Sequence, residues 1–192
     1  AVDVVDALAE AIGPETAFAD ELHHRGEHSI VLAAIWLHYI RREQPCQLVP
    51  ILCGSFSHFV QGEADPGQDA TITALLEMLP RVTAGRRVLV VAAADLSHVG
   101  PAFGGQPVDL LGRARLQAAD EMIIERVCAG DAFGFLELIR RNGDRNNICG
   151  MPPIYLTLRL LSPARGTSVA YTRCPADEQG TSWVTIAGIL LS

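Results

Sequence analysis

Three polar clusters in this chain carry residue types that bind metals or move protons. The first is Asp95-Leu96-Ser97-His98, set down at the end of the apolar run Val88-Leu89-Val90-Val91-Ala92-Ala93-Ala94 and closed by Gly100-Pro101. Open α/β sheets bind ligands outside the carboxyl ends of their strands, so a carboxylate, a hydroxyl and an imidazole at this point are placed for chemistry. The alternative is local: Asp95 and Ser97 cap the next segment and His98 bonds nearby. In an extended chain Asp95 and Ser97 share one face and His98 takes the other, so Asp95 needs a turn to orient the ring.

The second cluster is Glu27-His28-Ser29, at the mouth of the apolar run 30–40. A helix N-terminus disfavours a charged imidazole, which would keep His28 neutral and able to bind a metal or accept a proton. Against this stands a capping role with a solvated ring. The third is Asn146-Asn147-Ile148-Cys149-Gly150-Met151-Pro152-Pro153. Proline favours the first turn of a helix, so Cys149 falls just before one, where free N–H groups lower a thiol's pKa. The alternative is an inert buried cysteine. Among the rest, His23-His24 reads as a solvated pair, His38 with Trp36 as core, and His58 as a residue near a strand end. Asp120-Glu121 reads as a solvated helix face, Tyr155 and Trp183 as packing residues.

The elements that must position these groups follow from periodicity. Helices are expected over 3–12, 30–40, 69–79, 110–128, a second one through 141, and 154–161. Ser29 is the expected N-cap of the apolar helix, and Arg41-Arg42-Glu43 suits its C-terminus. Strands are expected over 47–54, where Pro50 suggests an edge or bulge, and over 86–94. Two β-rich pieces, 168–172 and 183–191, close the chain as an antiparallel pair. Alternating strands and helices argue for an α/β fold, a mostly parallel central sheet flanked by helices with antiparallel C-terminal edge strands.

Composition narrows the function classes. The chain has 192 residues, enough for one domain (1–192) with a sizeable core. Net charge is −7, and no basic run exceeds two arginines, which argues against nucleic acid and against an anionic membrane surface. All 15 basic residues are Arg, so this sequence supplies neither a Schiff-base lysine nor a P-loop lysine. Five scattered cysteines form no C-x-x-C pair, and with no signal peptide the expectation is a cytoplasmic chain with reduced thiols. The chain opens on Ala1 directly into a helical pattern, and the expectation is that its beginning lies elsewhere.

Taken together, Glu27-His28-Ser29-Ile30, Leu48-Val49-Pro50-Ile51-Leu52-Cys53-Gly54, Ala94-Asp95-Leu96-Ser97-His98-Val99-Gly100 and Ile148-Cys149-Gly150-Met151-Pro152-Pro153-Ile154 resemble the Memo family, whose bacterial members are called AmmeMemoRadiSam system protein B. The resemblance implies a fold similar to the class III extradiol dioxygenases and a pocket of histidines and one cysteine for iron or copper. Carried over by position, Cys149 resembles the metal-ligand cysteine, His28 and His98 the other pocket histidines, and Asp95 a group that orients or neutralises them. Two motifs of the family, Pro-His-Ala-Gly-like and Gly-x-x-His-like, are absent here, and with them two expected His ligands. Val31 stands where the family usually has Glu. The function implied is a redox or dioxygenase-type role, with Fe(II) or Cu, on a small molecule or modified residue. The alternatives are a non-catalytic peptide- or protein-binding module, with radical SAM and AMMECR1-like proteins as partners, and metal-free thiol catalysis by Cys149 with His98 as base.

Overall fold

The computed structural model describes residues 1–42 and 44–192. Glu43, expected at the end of the apolar helix, lies outside the described residues. The chain divides into two compact units, one of residues 1–54 and 64–93, the other of residues 55–63 and 94–192.

In the first unit, α1 (Val2–Ile12) packs on α5 (Ala70–Val82). Val4 and Leu8, one helical turn apart, are buried with Ile72 of α5, and each such side chain contributes roughly 1.5–3 kcal/mol. Asp69 caps α5 by accepting from Ile72 N–H at 2.9 Å. The α-amino group donates to Leu48 O, and Asp3 pairs with Arg86. A short α2 (Pro14–Ala17) and a turn of 3-10 helix (Glu21–Arg25) lead to α3 (Ser29–Arg41). No residue of α3 is buried; Trp36 is 61% exposed and Tyr39 72%. The expectation that Trp36 and His38 pack in a core is therefore corrected. Ser29 is not the cap either. Glu27 is, its carboxylate accepting from Ser29 N–H at 2.6 Å and Ile30 N–H at 2.9 Å.

The parallel central sheet expected from the apolar runs is not formed among the described residues. Residues 44–56 and 87–97 have neither helix nor ladder pairing. Val88, Leu89 and Val91 remain exposed, as do Leu48 and Ile51. A strand is held by backbone bonds to a neighbour, and neither run supplies them to the other.

The second unit holds the sheet. It is three-stranded and antiparallel, in the order β1-β3-β2, with β1 at His98–Val99, β2 at Gly166–Pro175 and β3 at Trp183–Leu191. The closing hairpin runs from Gly166↔Leu191 to Pro175↔Trp183, with a bulge between Ser168 and Ala170. Against it packs α6 (Leu110–Cys128), followed by α7 (Ala132–Asn142) and α8 (Met151–Leu160); the one-turn α4 (Ser57–Val60) lies on α7. Phe135, Ile139, Tyr155 and Leu158 are almost wholly buried between these helices. Tyr155 is thus the packing residue expected. Asp120 is not on a solvated face: it is fully buried on α6, in the stripe of Leu116, Ile123, Ile124 and Val127.

Gly100 ends β1 at φ 106, where a Cβ would stand 2.5 Å from both Ser182 Cα and Thr181 O. Only glycine allows that approach. Among the described residues no helix is long and apolar enough to cross a membrane.

Candidate metal site

The segment from Asp95 to His98 is held from behind by β3. Leu96 N–H donates to Thr185 O at 2.8 Å, Thr185 N–H to Ser97 O at 3.0 Å, and Ser97 N–H to Thr185 Oγ1 at 2.9 Å. Ser97 Oγ then donates to Asp120 Oδ1 at 2.6 Å, and Tyr171 O–H donates to Asp120 Oδ2 at 2.8 Å. Burial, together with the hydrogen bond to Asp120 and its charge, holds the Tyr171 phenol well above the usual tyrosine range. Ser97 and Thr185 are fully buried, so the hydroxyl of this cluster is scaffold.

Asp95 and His98, on either side of Ser97, come together. The chain turns enough to bring Asp95 Oδ2 to 3.7 Å from His98 Nε2. His98 N–H donates to Asn146 O at 2.7 Å, which ties the segment to the loop before α8. In that loop Asp144 Oδ1 accepts from Ile148 N–H at 2.9 Å, while Asp144 and Asn147 both take positive φ. Gly150 lies so close to Asp95 O that a Cβ would come within 2.2 Å of it. The result is that Cys149 Sγ lies 4.0 Å from His98 Nε2. One ligand atom from each of Asp95, His98 and Cys149 falls within 4.8 Å of the other two.

The ring of His98 is fixed edge-to-face on Phe103 at 5.0 Å, with Nδ1 3.3 Å from Leu96 O. The tautomer protonated at Nδ1 donates to that carbonyl and leaves the Nε2 lone pair toward Asp95 and Cys149, the arrangement typical of a metal-ligating histidine. Asp95 thus faces the donor nitrogen itself, while the backbone carbonyl of Leu96 contacts the far side of the ring.

At Cys149 the expected effect of the helix start does not prevail. Partial burial, then the Asp95 carboxylate, push the thiol above its ordinary value, and backbone hydrogen bonds from Asp95 and Cys149 do not offset them. A thiol, an imidazole and a carboxylate so placed fit a metal ion.

His28 belongs to the first unit, where it is exposed at the start of α3 and makes no side-chain capping bond. His23 is exposed and lies 3.5 Å from Asp20; the His58 ring rests on Phe59. Asp120 was missed by reading the sequence, although its register is a visible signal: it stands four residues after Leu116 and four before Ile124, on the apolar stripe.

Residues 2–189 match the family described as Memo-like protein. A MEMO1 family protein of Methanosarcina barkeri is 30% identical over 154 residues, covering 80% of this chain and 49% of its own. A MEMO1 family protein of Methanosarcina mazei is 28% identical over 88% of this chain and 56% of its own. One of Thermococcus kodakarensis is 28% identical over 90% and 54%. The chain therefore spans about half the length of the curated relatives it matches. No solved structure matches it significantly. On the match over nearly its whole length, this chain belongs to the Memo family.

Proposed function

We propose that Asp95, His98 and Cys149 hold a transition metal, Fe(II) or Cu, in a pocket with a redox or dioxygenase-type role on a small molecule or modified residue. The observation that carries this reading is the convergence of three donors from segments about fifty positions apart in the chain, Asp95 and His98 on one and Cys149 on the other. Thiolate and imidazole suit Cu(I) and Fe(II), and the carboxylate shifts the balance toward iron. When bound, the metal supplies Lewis-acid and redox chemistry. The residues do the rest. Cys149 would hold the metal as the thiolate, so retention would weaken as pH falls. His98 keeps Nε2 free through the contact of Nδ1 with Leu96 O, and Asp95 Oδ2, 3.7 Å from that nitrogen, faces the same point.

The same reading treats both units as one cytoplasmic domain with a class III extradiol dioxygenase-like fold. Radical SAM and AMMECR1-like proteins remain its proposed partners. The raised thiol speaks against metal-free catalysis by Cys149, since the thiolate is the nucleophile.

Elemental analysis after anaerobic loading and desalting tests the proposal. One equivalent of iron or copper should remain on the wild-type chain and be lost in Cys149→Ala and His98→Ala. Equal retention in all three would overturn it.

A further inference from the structure

A second site lies where α6 meets the hairpin. Arg113, Gln117, Tyr171, Thr172, Arg173 and Trp183 line a cavity of about 280 Å³. We infer that this cavity binds a small doubly charged oxyanion, a phosphate ester or a dicarboxylate, between the guanidinium groups of Arg113 and Arg173.

The argument begins with charge. Some arginines of this acidic chain are paired with a carboxylate: Arg86 with Asp3, Arg126 with Asp131, Arg141 with Glu137. Arg113 and Arg173, side by side, have no carboxylate within 4.0 Å among the described residues. The acids nearby are already engaged. Asp120 accepts from Ser97 and Tyr171, and Glu121 accepts from Gln117 at 2.9 Å. Arg173 Nη1 donates instead to the backbone carbonyl of Arg113 at 3.3 Å, and the Arg113 guanidinium stacks 5.3 Å from the centre of the Trp183 ring.

Hydrogen bonding points the same way. Arg113 Nε and Trp183 Nε1 are both buried and have no acceptor among the described residues. Buried donors in a folded protein are nearly always satisfied. Here the two orphans belong to two residues of one cavity wall, beside two guanidiniums that offer donors and no acceptors. An oxyanion in the cavity supplies what the two guanidiniums lack: several acceptor oxygens and two negative charges. Planar guanidinium forks recognise carboxylate and phosphate alike. The volume lies just below the range usual for drug-sized ligands, so the occupant is small.

The test uses Trp183 as reporter. Of the two tryptophans, Trp36 is replaced by Phe, leaving the indole on which Arg113 stacks. Inorganic phosphate and succinate are titrated at constant ionic strength, with perchlorate as control. A saturable change in emission with phosphate or succinate and none with perchlorate is expected, and which of the two saturates first separates phosphate ester from dicarboxylate. Arg113→Gln and Arg173→Gln should each weaken binding at least tenfold, and Arg173→Lys by an intermediate factor. Without any variant at the site, the Arg113 Nε–H and Trp183 Nε1–H resonances of ¹⁵N-labelled protein should shift along the same saturation curve. No saturable response to either anion, equal response to perchlorate, or unchanged affinity in both Gln variants would overturn the assignment.

Discussion

Ser97 Oγ donates to Asp120 Oδ1 across 2.6 Å in a region that excludes solvent from both residues. This bond anchors the 95–98 segment from inside, and the turn of the chain around it brings Asp95 Oδ2 to 3.7 Å from His98 Nε2, beside Cys149. Tyr171 completes the carboxylate's shell from β2. The Asp95–His98–Cys149 group therefore depends on a buried acid that touches none of its three members.

Asp120→Ala should destabilise the chain by roughly 1–3 kcal/mol, because it leaves the buried Ser97 hydroxyl and the part-buried Tyr171 hydroxyl without their acceptor. Urea unfolding measures it. Ser97→Ala and Tyr171→Phe should each cost less, and their effects should not add, since both hydroxyls serve one carboxylate. Additive losses would mean that the two hydroxyls act independently.

Gly150→Ala tests the contact between the two ligand-bearing segments. Gly150 sits at φ −73, which any residue adopts, so the requirement here is space. A Cβ would meet Asp95 O at 2.2 Å and Ala94 Cβ at 2.7 Å, and backbone has to move. A loss of roughly 2–3 kcal/mol is expected, typical of overpacking, together with at least tenfold weaker metal retention as Cys149 is pushed from His98. Gly54→Ala, where nothing lies within 4 Å, is the control and should change neither.

How much of this was legible in the sequence differs by element. The helices of the second unit and the closing hairpin follow from patterns satisfied within the chain, and Cys149 was recognisable by the prolines after it. The runs 47–54 and 86–94 look as strand-like as the hairpin, yet hydrophobic pattern specifies only a tendency; the ladder needs a neighbour, and among the described residues none pairs with them. Trp36 and His38 failed for a similar reason, since an apolar helix is buried only if something covers it. Asp120 was misread because its charge outweighed its register. The approach of Cys149 to His98 depends on the loop geometry of Asp144 and Asn147, which no local pattern encodes.

Cys149 should alkylate slowly at neutral pH. Its thiol lies above the ordinary value of about 8.5, first because of burial and then because of Asp95, so the reactive thiolate is scarce below that pH. Peptide mapping after iodoacetamide, needed because all five cysteines are free, should show its labelling rise only in alkaline buffer. Asp95→Asn removes one repelling charge and should move the midpoint down. If the midpoint stays, the carboxylate does not act on the thiol. Cys53, with its thiol pushed up to about 11 by burial, should remain slowest in both proteins.

Acid should loosen the start of α3 over a defined window. Burial raises the Glu27 carboxyl, but the N–H groups of Ile30 and Ser29 and the Ser29 hydroxyl overcome it and bring the pKa to about 2. The unfolded value is about 4.3. A depressed folded pKa means that the stabilisation is present in full above the unfolded value and disappears as pH falls through the folded one. The cap should therefore hold at pH 5 and fade between about pH 4 and pH 2. Amide exchange of Ser29 and Ile30, followed by NMR across that range and corrected for intrinsic rates, should lose protection in step with Glu27 protonation. Glu27→Gln should show the weaker protection at pH 5, where only the wild-type cap is charged, and the difference should vanish as Glu27 protonates, since a neutral amide oxygen accepts less strongly than a carboxylate and carries no charge for the helix N-terminus to hold. Equal protection in both proteins at pH 5 would mean that Glu27 is not the group that caps the helix.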